Sequence, residues 1–302
     1  MKKEEDEEMK DLIPLNEEEK FNEEEELLDL VNTMVSLFIP YMSEELLNPQ
    51  DQDPELIHES KTPQVQARKL IYEANNLPSL RAKANIEKAL ALDPDCIEAY
   101  ELSGKLSKTP KIAMAFYEKA IAIGRSIFGG KYLEENKGSF WGNHETRPFM
   151  RCLQFYSDCL IETGKVKEAV AILEEMIELN PNDNQGVRNQ LTLYLIPLNE
   201  DEKFLKYSEK YEDDDFGYSL FNKALFAFKT EGETEHSNEK LLQALGQNQF
   251  VARKLLSKKW PLMQTNVFGI GYENEAIYYA NFAHSVWGEI KGAKEWLKRH
   301  AF

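Results

Sequence analysis

Apolar residues recur along this chain at intervals of three and four, and alternation at intervals of two is nowhere sustained. That period predicts amphipathic helices rather than strands. Only nine valines and nine threonines occur in 302 residues, and prolines fall mainly between the periodic stretches. The clearest unit is FMRCLQFYSDCLIETGKVKEAVAILEEMIELNPND, residues 149–183. Leu153, Tyr156 and Leu160 share one face of its first half, and Val166, Ala169, Val170, Leu173, Met176 and Ile177 share one face of its second. Thr163-Gly164 turns the chain between them, and Asn180-Pro181 stops the second helix. The segment predicts two antiparallel helices whose apolar faces a single hairpin cannot cover.

Neighbouring segments supply the cover. RAKANIEKALALDPD repeats the second-helix pattern with Ala82, Ile86, Ala89 and Pro94, after PQVQARKLIYEANN as its first helix. CIEAYELSGKLSKTPKIAMAFYEKAIAIG places Tyr100, Ser103 and Gly104, then Ala113, Tyr117 and Ala120, with about one turn less between its helices. Beyond Pro181 the pattern weakens, but QGVRNQLTLYLIPL, EDEKFLKYSEKYE, DFGYSLFNKALFAFKTEG and SNEKLLQALGQNQFVARKLL keep helical length and period. NEAIYYANFAHSVWGEIKGAKEWLKRHAF predicts a closing helical pair with Trp287 and Trp296 in the core.

The spacing of Leu153, Tyr156, Ser157 and Leu160, then Ala169, Leu173, Met176 and Pro181, resembles the tetratricopeptide repeat (TPR). The resemblance implies an all-α fold, a right-handed superhelical solenoid of antiparallel helix hairpins over residues 63–302. It also implies a concave groove that binds a peptide or a partner protein. GSFWGNHETRPFMR, NPNDNQGVR and the closing GAKEWL together resemble a narrower group of TPR-like proteins of uncharacterised activity. In that group the first string reads G-x-F-W-G-x-x-E-T-R-P-Y/F-M-R. A more distant likeness is to the suppressor-of-tumorigenicity TPR-like family.

Charge narrows the partners. The net charge of -17 sets up a field that repels phosphate backbones, which argues against nucleic acid and favours basic proteins. Residues 1–26 hold 13 acidic and 4 basic side chains, and so few apolar ones that a disordered acidic tail is expected. Residues 27–62 are expected to form an N-terminal helix and linker. Its apolar run, LLDLVNTMVSLFIPYM, is interrupted by Asp29 and Asn32 and ended by Pro40, too short for a membrane span. No secretion signal opens the chain, and Cys96, Cys152 and Cys159 are odd in number. A cytoplasmic protein is therefore expected. Oligomeric state is not legible.

Candidate chemistry concentrates in GSFWGNHETRPFMRC, residues 138–152, at the end of a stretch from Gly129 to Glu145 that lacks helical period. Phe140 and Trp141 are expected to anchor this loop, with Thr146 or Arg147 capping the helix that Pro148 opens. Glu145, Arg147 and Arg151 are more than a helix start requires. They form either an internal salt bridge or a ligand site at the mouth of the groove. In NPNDNQGVR, Pro181 ends one helix and Asp183 or Asn184 caps the next, and the surplus amides of Asn184 and Gln185 leave a ligand contact open.

If residues 97, 150 and 184 begin equivalent first helices, three rows line the inner groove. They are Glu98, Arg151 and Gln185; Glu101, Gln154 and Arg188; and Lys105, Asp158 and Thr192. These rows are mixed in sign, so Glu145, Arg147, Arg151, Gln154, Asp158, Gln185 and Arg188 are the expected partner-binding residues. The Lys and Asn clamp of TPR proteins that hold chaperone C-termini is replaced by Gln154 and Asp158. His144-Glu145 lacks a second metal-binding histidine, and no phosphate-cradling glycine loop occurs. No metal, cofactor or catalytic residue is expected. The reading is a protein-interaction scaffold; the alternative is an enzyme, or an enzyme subunit, with its site at residues 138–151.

Overall fold

The computed structural model describes residues 62–212, 216–259, 262 and 269–302. The acidic stretch 1–26 and almost all of the expected helix and linker 27–62 lie outside the described residues. Fourteen helices and no strand occur among the described residues: α1 (Pro63–Ala74), α2 (Ser79–Leu92), α3 (Ile97–Lys105), α4 (Pro110–Ile127), α5 (Lys131–Asn136), α6 (Arg147–Glu162), α7 (Val166–Leu179), α8 (Arg188–Leu195), α9 (Asp201–Lys210), α10 (Gly217–Glu231), α11 (Glu235–Gln247), α12 (Phe250–Leu255), α13 (Glu273–Glu289) and α14 (Ala293–Ala301). The chain is an all-α solenoid of helix hairpins. Pairs α1–α2, α3–α4, α6–α7 and α10–α11 pack along their lengths, and α4 packs on α6 to join one hairpin to the next.

Local chemistry starts and stops these helices. Thr62 and Thr109 accept a hydrogen bond from the backbone of Val65 and Ile112, each just ahead of a proline in the first turn. Thr234 and Ser237 form a reciprocal capping box at α11. Gly164 and Gly232 take positive φ where α6 and α10 end, a conformation that costs other residues energy. The segment 237–256 keeps helical length and period as one stretch, but Asn248 divides it. The Asn248 amide donates to the Tyr272 carbonyl and the Glu275 carboxylate, and its side-chain oxygen accepts from Phe250 N, which closes α11 and opens α12. The aperiodic stretch 129–145 holds one short helix, α5, with no buried residue.

Packing follows the apolar stripes. Residues of α1, α2 and α3 form one buried cluster, and residues from α3 to α14 form a larger one. Trp287 and Trp296 are both fully buried and stack with ring centroids 6.3 Å apart, as expected of the closing pair. Their indole N–H groups are satisfied by Tyr279 Oη and Asn238 Oδ1. Two glycines set the spacing around α4. A Cβ on Gly104 would stand 2.3 Å from the Tyr117 ring, and one on Gly124 would stand 2.2 Å from the Phe149 ring. Helices α3, α4 and α6 approach through these notches.

The notch gives a paired prediction. Gly124→Ala forces Phe149 out of a filled core and is expected to destabilise by about 1–3 kcal/mol. Gly246→Ala, where an added Cβ meets nothing within 4 Å, is expected to be neutral or to stabilise by about 0.5–1 kcal/mol through helix propensity. Denaturant titration of both variants checks the contrast.

Candidate functional site

The 138–152 segment builds a rigid corner. Phe140 is buried among Phe128, Tyr132 and Phe149, with ring centroids 6.0–6.3 Å away. Its backbone N–H donates to the last carbonyl of α7, on Leu179, at 3.2 Å. Thr146 is fully buried, and its hydroxyl donates back into the loop, to the carbonyls of Phe140 and Asn143, instead of capping α6. Trp141 is also buried; Arg147 lies over its ring at 5.5 Å and donates from Nε to its carbonyl at 2.9 Å. Phe140 and Trp141 thus sit where a loop anchor would.

The charged residues of this segment separate. Glu145 and His144 are exposed, and no ion pair joins Glu145 to Arg147 or Arg151 among the described residues. Arg151 instead reaches across to α3, donating from Nε and Nη2 to the two Glu101 oxygens at 2.8 and 2.7 Å. Lys105, one turn along α3, holds the same carboxylate at 2.7 Å. Within the 138–151 segment, His144, Glu145, Arg147 and Arg151 are therefore not brought together by hydrogen bonds or ion pairs among the described residues.

Glu101 is 4% exposed, and burial alone would raise its pKa. The two cations outweigh burial and hold it at about 2. The pairing differs from the expected rows by one turn, because α6 begins at Arg147 rather than at 150; aligned helix starts place Arg151 opposite Glu101 and not opposite Glu98. Glu98 pairs with Arg68 of α1 at 3.4 Å.

Farther along α6, charge gives way to amide chemistry. Gln185 donates from Nε2 to Gln154 Oε1 at 2.8 Å and to the Met150 carbonyl at 3.4 Å. Gln190 donates from Nε2 to Asp158 Oδ1 at 3.1 Å. No cation lies beside Asp158 among the described residues; burial pushes its pKa up to about 8, against the Gln190 hydrogen bond and helped by nearby Glu162. It is therefore largely protonated at neutral pH. A second network runs from Thr192 through Asn222 to Tyr279 and Trp287.

Arg188 turns inward to the chain itself. Asp183, at a left-handed φ of 50°, accepts from the backbone N–H groups of Val187 and Arg188 and from the Arg188 guanidinium at 2.9 Å. Burial raises the Asp183 pKa while Arg188 and the two amides oppose it. Of the two expected caps, the carboxylate of Asp183 binds the start of α8.

Three buried oxygens on this face have no hydrogen-bond partner: Asp158 Oδ2, Gln185 Oε1 and Gln190 Oε1. Gln190 also lines a small cleft where α8, α10 and α13 meet, walled by Tyr218, Tyr278, Tyr279 and Phe282. Neither Gln190 nor these aromatics stands out by local spacing: Gln190 meets Asp158 across 32 positions of sequence. The surplus of amides in NPNDNQGVRNQ is the one signal that points to it.

Two predictions test the electrostatics. Glu101→Gln leaves Arg151 without its carboxylate and is expected to destabilise by about 3–5 kcal/mol in thermal or denaturant unfolding. Asp158 holds its proton in the folded state to about pH 8 and releases it near the ordinary carboxylate value when unfolded, so its contribution to stability falls as pH rises through that window. Asp158→Asn is expected to remove this slope and to raise Tm most at pH 8 and above; Tm measured from pH 5 to 9 decides.

Comparison with known proteins agrees with this hairpin. Residues 151–183, which span most of α6 and all of α7, match the family model of the tetratricopeptide repeat. No curated protein matches the chain. Among solved structures, the crystal structure of YrrB, a TPR protein with an unusual peptide-binding site, is similar at 24% identity with a TM-score of 0.46, over 64% of this chain and 90% of that one.

Proposed function

We propose that this chain is a protein-interaction scaffold whose inner groove, along α3, α6 and α8, holds a peptide segment of a partner protein. The row of buried oxygens without partners, Asp158 Oδ2, Gln185 Oε1 and Gln190 Oε1, carries the reading. Buried polar atoms are nearly always hydrogen-bonded in folded proteins, so the two amide oxygens in this row ask for donors from outside, while the protonated Asp158 carboxyl has an O–H to give to a peptide carbonyl. An extended peptide supplies backbone N–H groups at regular intervals along such a row. The repeat match falls on the hairpin that contributes Gln154 and Asp158 to it, which supports a binding role for that face.

Division of labour follows from the geometry. Arg151 and Arg188 are held by Glu101 and Asp183, so they shape the groove and stiffen it. Gln154, Asp158 and Gln185, with Gln190, meet the peptide, and Glu145 and Arg147 flank the mouth. The chain's net charge of -17 draws basic partners toward it and speeds encounter at low salt. In this reading the narrower TPR-like group shares a scaffold corner, G-x-F-W-G to R-P-F-M-R, rather than a catalytic motif.

Affinity capture from the source cell tests the proposal, with the full chain compared with Gln154→Ala/Gln185→Ala and with Glu145→Ala. The amide double variant is expected to lose a specific partner about tenfold or more while keeping its helical signal, since each lost hydrogen bond weakens binding by about 0.5–1.5 kcal/mol. Glu145→Ala is expected to change recovery little. Equal recovery by all three proteins would remove the groove from the binding function.

A further inference from the structure

The cleft between α8, α10 and α13 has a chemistry of its own. Its volume is about 20 Å³, space for roughly one water-sized group. Aromatic rings form most of its wall. Tyr218 packs against Tyr279 and Tyr278 with centroids 5.6 Å apart in each case, and Tyr278 meets Phe282 edge-on at 4.9 Å. Tyr278 and Phe282 are half-buried, so the cleft opens along their side. Among its lining residues there is no lysine or arginine.

Gln190 supplies the polar end. It is 7% exposed; its Nε2 is committed to Asp158, and its Oε1 lies buried without a partner. Aromatic faces carry negative potential, and an amide oxygen accepts hydrogen bonds, so both features repel an anion and attract a cation that bears N–H groups. Size selects among such cations. An ammonium is about as large as a water molecule, whereas a guanidinium or a trimethylated ammonium is several heavy atoms across. The methylene stem of a lysine fits an aromatic channel that its head cannot leave charged unless an acceptor waits at the end.

We propose that this cleft receives the ε-ammonium of a lysine carried by the bound peptide, with Gln190 Oε1 accepting one of its N–H groups and the stem passing out along the half-buried Tyr278 and Phe282 rings at the mouth. The proposal rests on the peptide-binding reading above and adds a side-chain preference to it. Asp158 acts as a positioning residue, since it fixes which way the Gln190 amide points. The excess negative charge of the chain concentrates lysine-bearing partners near the groove without itself choosing among them.

Titration of the 15N-labelled full chain with the peptide acetyl-Gly-Gly-Lys-Gly-Gly-amide, at physiological ionic strength, tests this. The Gln190 side-chain amide resonances are expected to shift with the lysine peptide. They are expected to shift at least several-fold less with arginine in its place, and not at all with acetyl-lysine or glutamate. Gln190→Leu is expected to weaken binding about tenfold, and Tyr278→Leu, at a half-buried position, to weaken it several-fold. If Gln190→Leu does not fold, Tyr278→Leu carries the test.

Equal response to acetyl-lysine, a preference for glutamate, or shifts confined to residues outside the cleft would overturn the assignment. Loss of the captured partner in Gln154→Ala/Gln185→Ala together with a silent lysine titration would leave the peptide groove standing and remove only the lysine pocket. Undiminished capture by that variant would instead remove the groove reading, whatever the titration showed.

Discussion

The close approach of α4 to both α3 and α6 is the constraint on which the rest depends. Tyr117 fills the notch at Gly104, and Phe149 fills the notch at Gly124. With Phe149 seated, the start of α6 is fixed, and the loop before it must run through Phe140, Trp141 and Thr146 to reach that point. Once α6 lies that near α3, Arg151 is half-buried against Glu101 and donates to both of its oxygens, so the ion pair follows from the packing.

From that contact the inner face divides by electrostatics. On the α3 side, one carboxylate between two cations stays ionised and forms a rigid strut. On the α8 side, Asp158 has only an amide to face it, and desolvation keeps it protonated near neutral pH. Two acidic side chains at similar depth thus take opposite charge states because their neighbours differ. The charged half is paired within the fold, and the amide half keeps buried oxygens without partners.

Much of this was legible in the chain. The period of apolar residues located twelve helical segments, which cover every described helix except α5, because each hairpin must turn one stripe toward its neighbours, and that stripe is written locally. The burial of Phe140 and Trp141 was legible too, since such aromatics have little reason to sit in an aperiodic stretch unless they are buried. Less legible was the register between first helices. Helix α6 starts at Arg147, three residues before the assumed position, and that single turn exchanges Glu98 for Glu101 as the partner of Arg151. Short α5 and the break at Asn248 were missed for related reasons: one buries nothing, and the other depends on Tyr272 and Glu275 from a later helix.

By itself, then, the sequence determined the all-helical hairpin architecture, the repeat at 149–183 and the acidic field. These are properties of nearest neighbours along the chain or of its summed charge. Only the tertiary structure decided which inner-face groups are already satisfied and which are not. Arg151, Gln154, Asp158 and Gln185 look alike as candidates until their partners, 31 to 50 positions away, are in place. Hydrogen bonding saturates: a donor or acceptor held within the fold is withdrawn from any ligand, and no local pattern records that pairing.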